Sequence, residues 1–235
     1  MTLKAHKLLR EVEVVIGYST YVDLIESMLS SRQETITSGM GEEKLRANKA
    51  IELAEASRDV ALISSGDPGI YGMAGLALEM IEEREKKLKV EVVPGVTAAA
   101  AAASSLGAPL MHDQAYISLS DHLTPWEHIA GRLEAAARAD LIAVLYNPRS
   151  SQRKEHIKRA RDIFLEYRTP ETPVGIVRSA RRGEEERIIT TLEDMLKPEI
   201  DMLSLVIIGS TTTEVAEDVM ITESGAMITP RGYEL

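Results

Sequence analysis

The sequence predicts an α/β protein of two domains, and three observations carry that prediction. Short β-branched runs alternate with longer helical patterns, as they do where crossover helices join parallel strands. A segment bearing Gly and Pro but no period, Leu106 to Asp113, interrupts the alternation near mid-chain and reads as a linker. Beyond it, Arg181-Arg182-Gly183-Glu184-Glu185-Glu186 lies between two β-type runs as a hairpin loop would, so the second sheet is expected to be mixed. The expected domains are residues 1–110, with a parallel sheet, and 111–235, with a mixed one.

In chain order, a helix from Leu3 to Arg10, apolar at Leu3, Leu8 and Leu9, runs into an apolar strand, Val12 to Ile16. Further strands are expected at Asp59 to Ser64 and Val90 to Val93. In the second half they fall at Ala115 to Leu119, Leu141 to Tyr146, Pro173 to Arg178, Arg187 to Thr191 and Leu205 to Gly209. Helices fill the gaps: Glu42 to Ser57, Met73 to Lys87, Val96 to Leu106, Glu127 to Ala139 and Ser151 to Tyr167. Within the third of these, the run Ala98 to Ala103 propagates helix well and leaves room for close packing.

Composition removes several function classes. A hydrophobic content of 44% with 27% charged residues marks a folded chain and not a disordered one. The 27 basic and 37 acidic side chains leave a net charge of −10, which repels a phosphate backbone, so no nucleic-acid partner is expected. With no cysteine, disulfides, iron–sulfur clusters and thiolate zinc sites are excluded, and a cytoplasmic location is expected. No apolar run approaches the ~18 residues that span a bilayer, and the N-terminus lacks a secretory core.

The segment Ser64-Ser65-Gly66-Asp67-Pro68-Gly69-Ile70-Tyr71-Gly72 follows a strand and precedes a helix. It therefore lies at a strand's carboxyl end, where open α/β sheets bind ligands. Its glycines permit close backbone approach, yet it is neither a Gly-x-x-x-x-Gly-Lys phosphate loop nor Gly-x-Gly-x-x-Gly. Val93-Pro94-Gly95-Val96-Thr97 repeats the arrangement before the alanine run. Both segments are ligand loops or plain strand-to-helix turns on this ground alone.

Tyr146-Asn147-Pro148 closes another strand, offering a ring face and an amide, or simply an Asn-Pro turn. Arg178, Arg181, Arg182 and Arg187 gather around the expected hairpin, and Arg149 and Arg153 follow the Asn-Pro turn. Such local positive charge suits a small polyanion, or forms a solvated turn balanced by Glu184 to Glu186. The five histidines show no metal-ligand spacing, and His112-Asp113 either caps a turn or serves as acid or base.

Taken with Gly17-Tyr18-Ser19-Thr20-Tyr21 and Ser118-Leu119-Ser120-Asp121-His122-Leu123-Thr124-Pro125-Trp126, these segments resemble the precorrin-3B C17-methyltransferase branch of the tetrapyrrole methylases. The resemblance runs from about Met1 to Thr213 in the same order and spacing. It implies S-adenosylmethionine in a trough between two α/β domains, a homodimer, and methylation at C17 of a corrinoid precursor with ring contraction. The tetrapyrrole is cobalt-bearing or metal-free according to the route.

Carried onto this chain, the resemblance puts Gly66, Asp67, Pro68, Gly69, Ile70 and Tyr71, with Thr97 and Ala98, around the methionine part of the cofactor. Tyr146, Asn147, Arg178, Gly209, Ser210 and Thr211 would surround the adenosine. Thr124, Trp126, Arg149 and Arg153 would face the macrocycle and its carboxylates, with Asp121, His112 and His122 as candidate acid–base groups. The absence of cysteine excludes the iron–sulfur-bearing versions of this methylase. The family opens with a strand and a Gly-x-Gly-Pro-Gly turn upstream of the residues matching Met1 to Ala5, so a first sheet short of that strand is expected. Methylation at another ring carbon, or a shortened relative that only binds cofactor, are the alternatives.

Overall fold

The computed structural model describes residues 1–85 and 87–234. Its two compact units are Met1–Thr97 and Ala98–Leu235, so the division falls ahead of the alanine-rich helix and upstream of the Leu106 to Asp113 segment.

The first unit begins with α1 (Leu3–Glu11), whose N-terminus Thr2 caps by accepting from the Ala5 amide, and whose one buried residue is Leu9. It leads into β1 (Val14–Tyr18), in which Val14, Val15 and Ile16 are fully buried. After the short α2 (Ser19–Asp23) comes β2 (Glu34–Ser38), then α3 (Glu43–Glu55), β3 (Val60–Leu62) and α4 (Ala74–Glu82). The sheet order is β2-β1-β3 and both pairings are parallel, as the alternation of strands and helices predicts. The α3 helix turns Ala47, Ala50 and Ile51 inward. Its buried Arg46 donates to Ser38 Oγ at 2.8 Å and to the Gly39 carbonyl at 2.7 Å, closing the end of β2.

Three features differ from the sequence pattern here. Residues Val90 to Val93 form no strand: Val90 and Val92 are about half exposed, and among the described residues no ladder partner lies beside them. A β-branched run has the side chains of a strand, but a strand also needs a neighbour to take its backbone hydrogen bonds. Conversely, β2 was not foreseen, because Ile36 is the only aliphatic residue of Glu-Thr-Ile-Thr-Ser and its outer side stays exposed. The helix expected from Met73 to Lys87 ends at Glu82, and Lys86 within that range lies outside the described residues.

The second unit runs α5 (Ala98–Leu106), β4 (Gly107–Ala108), β5 (Gln114–Ser118), α6 (Trp126–Arg138), β6 (Ile142–Tyr146), α7 (His156–Leu165), β7 (Pro173–Arg178), β8 (Glu186–Thr191), β9 (Ser204–Ile208), β10 (Glu214–Ala216) and β11 (Ala226–Ile228). Its main sheet has the order β5-β6-β9-β7-β8. Only β5 and β6 pair in parallel; β9 is antiparallel to both β6 and β7, and β7–β8 is the foreseen hairpin. The sheet is thus mixed, as expected. The α6 and α7 helices cover it with Ile129, Leu133, Ile157 and Phe164 against Leu145, Val206 and Ile208. Gly175 on β7 lets the Leu106 side chain of α5 pack directly on the strand, since a Cβ there would lie 2.3 Å from Leu106 Cδ1. Among the described residues no helix is long and apolar enough to cross a membrane.

Sheet polarity sorts the loops of this unit into two groups. The carboxyl ends of β5, β6 and β7 lie at one end, with the start of β9 beside them, since Arg178 pairs with Ser204. The end of β9 lies at the other, where Ile208 pairs with Ala143 and Val174. At ~3.3 Å per residue the ends of β6 are about 13 Å apart.

Candidate functional site

In the first unit the Gly66 to Tyr71 loop leaves the carboxyl end of β3, and its shape is set by one carboxylate. Asp67 Oδ1 accepts the Gly69 amide at 2.8 Å and Oδ2 accepts the Gly95 amide at 2.9 Å, so this side chain ties the loop to the Pro94-Gly95 turn. The approach is close enough that a Cβ on Gly95 would meet the Gly66 carbonyl oxygen at 1.8 Å. Gly66 takes a positive φ of 69° and Tyr71 one of 53°. Ser64 Oγ accepts the Met73 amide at 2.9 Å, anchoring the far end at the start of α4.

The two segments singled out in the sequence are therefore neighbours. Gly66, Gly69 and Tyr71 are exposed, while Asp67, Pro68, Ile70 and Thr97 are partly buried. This surface offers backbone with little side-chain cover, which suits a zwitterionic amino-acid moiety that needs both donors and acceptors. Both Asp67 oxygens already hold amides, so its part is to shape the loop.

In the second unit the carboxyl end of the sheet collects most of the remaining candidates. Tyr146 ends β6 with its ring buried and its hydroxyl accepting the Ala99 amide at 3.1 Å. Asn147 takes a positive φ of 50° and donates to Ser118 Oγ at 2.9 Å, which couples the ends of β6 and β5. Just beyond β5 lies exposed Asp121, with Arg153 Nε at 3.7 Å from one carboxylate oxygen and His156 Nε2 at 3.4 Å from the other. Arg153 is itself held by the carbonyl oxygens of Leu119 (3.0 Å) and Asn147 (3.4 Å). Trp126 is buried at the start of α6, stacked on His156 and covered by Arg159 at 4.2 Å. His122 and Thr124 stand on the intervening loop, His122 exposed. Ala98 and Arg149 are partly buried.

Arg178 lies at this same end, but its guanidinium is engaged by Asp201 at 2.8 Å and Glu186 at 3.5 Å. Burial pushes the Asp201 carboxyl up; hydrogen bonds from Arg178, Ser204 and the Leu203 amide outweigh that and hold it below the usual range. The same pairing raises Arg178.

The remaining candidates are not brought here. Gly209, Ser210 and Thr211 follow β9 and so sit at the opposite end of the sheet from Tyr146, Asn147 and Arg178. There the Thr211 amide and hydroxyl bind Asp140 at 2.9 and 2.6 Å, and the Ser210 amide binds Thr213 Oγ1 at 2.8 Å. The buried Arg168 stiffens this end by donating to the carbonyl oxygens of Gly209 and Leu141. Its guanidinium is pulled down to about 10 by burial, against the opposing pull of Asp140, and stays charged at neutral pH. His112, exposed ahead of β5, is also at this end. His156 belongs to no motif in the sequence; its one signal is its place within the basic helical segment that follows the Asn147-Pro148 turn. No motif marks Asp201 either.

Comparison with known proteins places these features among related chains. Residues 1–196 match the family described as Tetrapyrrole (Corrin/Porphyrin) Methylases. A probable cobalt-factor III C(17)-methyltransferase of Salmonella typhimurium is 50% identical over 235 residues, covering 100% of this chain and 94% of that protein. The cobalt-factor III methyltransferase of Priestia megaterium is 49% identical over 238 residues, and there the chain spans only 43% of the relative's length. A crystal structure of the methyltransferase CobJ superposes with a TM-score of 0.88 at 31% identity, over 98% of this chain and 93% of that one. Uroporphyrin-III C-methyl transferase from Thermus thermophilus, complexed with S-adenosyl homocysteine, has a TM-score of 0.66 at 27% identity, covering 89% and 86%.

Proposed function

Because the chain belongs to the tetrapyrrole (corrin/porphyrin) methylase family, we propose that it transfers a methyl group from S-adenosylmethionine to C17 of a cobalt-bearing corrinoid precursor. Ring contraction accompanies the transfer, as a step of cobalamin biosynthesis. The observation that carries this reading is the likeness to the Salmonella protein, at 50% identity over nearly the whole of both chains. A cytoplasmic homodimer is part of the proposal.

When bound, S-adenosylmethionine supplies a methyl group made electrophilic by its sulfonium. Protein groups then need to orient the acceptor carbon, exclude water and handle protons. In this reading the backbone of Gly66 to Tyr71 and Thr97 holds the methionine part, in the shape that Asp67 imposes. Tyr146 and Asn147 approach the adenosine. Arg149, which makes no ion pair among the described residues, is the arginine best able to take a peripheral carboxylate of the macrocycle, with Thr124 beside the ring. Arg153 and Arg178 already serve acidic partners. Asp121 and His122 are the proposed acid–base groups, since both stand exposed at the carboxyl end of β5.

Calorimetry with S-adenosylmethionine, followed by turnover of the cobalt-bearing precursor with mass and NMR analysis, tests this. One added methyl at C17 is expected. A product methylated at another ring carbon, or cofactor binding without turnover, would overturn it.

A further inference from the structure

His156 opens α7 and is buried, with both ring nitrogens facing acceptors. Nδ1 lies 3.2 Å from the Leu119 carbonyl oxygen and Nε2 lies 3.4 Å from Asp121 Oδ2. The Leu119 carbonyl oxygen and the Asp121 carboxylate are both acceptors, so a ring hydrogen on either nitrogen has a partner.

The ring has little freedom to leave this position. It stacks on Trp126 with centroids 4.5 Å apart and planes 17° from parallel, and Arg159 lies over the same indole at 4.2 Å. Arg153 Nε stands 3.7 Å from Asp121 Oδ1. Each carboxylate oxygen thus faces a mostly buried group whose own place is set by other contacts, while the Asp121 side chain remains 39% exposed.

We propose that His156 is the positioning residue of Asp121. Through Nδ1 it is anchored at Leu119, and through Nε2 it turns the exposed edge of the carboxylate toward the substrate. The proposal rests on the reading of Asp121 as an acid–base group of the methylase, so its test has one readout within turnover and one outside it.

His156→Phe retains a flat ring against Trp126 and removes both ring nitrogens. Its kcat is expected to fall about ten- to a hundredfold, with KM for both substrates changed by less than about twofold. His156→Gln, which restores an N–H near the Nε2 position, should return to within about fivefold of wild type. On an Asp121→Asn background, His156→Phe should change kcat by less than about twofold, because the two residues act as a unit. Equal losses in the Phe and Gln variants, or a further multiplicative loss on Asp121→Asn, would overturn the proposal. Outside turnover, 15N-histidine NMR of the intact protein should show the His156 Nε2 resonance moving in Asp121→Asn by more than those of the other histidines. An unmoved His156 Nε2 resonance overturns the pairing whether or not the protein methylates. Absence of turnover with a moved His156 resonance would instead remove the functional reading and leave the pairing supported.

Discussion

Asp67 and Arg168 perform the same task with opposite charge, each holding backbone groups of separate segments in place. Asp67 binds two amides, and hydrogen bonds to a charged group are worth about 1.5–3 kcal/mol each. Asp67→Ala is therefore expected to weaken S-adenosylmethionine binding by at least about tenfold. Asp121→Ala, in the other unit, should change it by less than about twofold. Calorimetric titration of both variants separates the loop-shaping role of one from the substrate-side role of the other, and equal affinities would contradict the assignment. Gly95→Ala should match Asp67→Ala, since its Cβ would overlap the Gly66 carbonyl. Arg168 is buried with its guanidinium on two carbonyl oxygens, so Arg168→Met leaves both unpaired and should destabilise the protein by about 3 kcal/mol, read from urea melts.

At the scale of elements, what matters is which strand ends come together. The turn after β9 begins as the sequence suggests, but its antiparallel direction carries Gly209 to Thr211 away from Tyr146 and Asn147. Strand direction is not written in a short apolar run, because Leu205 to Gly209 would read the same in a parallel sheet. At the opposite end, the Asp201–Arg178 pair fastens the approach to β9 onto the end of β7. A carboxyl held below its usual range binds protons more weakly in the folded than in the unfolded chain. The stability it adds is thus complete above the ordinary carboxylate range and is lost as pH falls through the lowered folded value. Asp201→Asn should consequently lower the urea midpoint at pH 7, with the gap to wild type closing as the pH is taken down toward 2. A gap that stays constant over that range would exclude the linkage.

For the whole molecule, cofactor binding and stability are coupled. A ligand that binds only the folded chain adds about 2.7 kcal/mol at a concentration of a hundred times Kd. For a protein of this size that corresponds to a rise in Tm of roughly 5–11 °C. Thermal scans with and without S-adenosylmethionine should show this rise in the wild type and lose most of it in Asp67→Ala at the same cofactor concentration. The net charge of −10 predicts none of this, since it describes the whole surface and is silent about Arg149, Arg153 and Arg178 gathering near one end of a sheet.

Sequence alone determined the α/β class, the parallel and mixed sheets, the hairpin at Arg181 to Glu186 and the family. It could do so because hydrophobic period, glycine turns and motif order are local properties of the chain. It also marked the Gly66 to Tyr71 loop and the Pro94-Gly95 turn, though not the carboxylate that joins them. Only the tertiary structure decided that Val90 to Val93 lacks strand partners, that Gly209 to Thr211 and His112 stand at the far end of the sheet, and that His156 lies behind Asp121. Each depends on which distant backbone or side chain arrives alongside, and a ladder partner, a strand direction or an ion pair across 35 residues leaves no periodic trace in the chain.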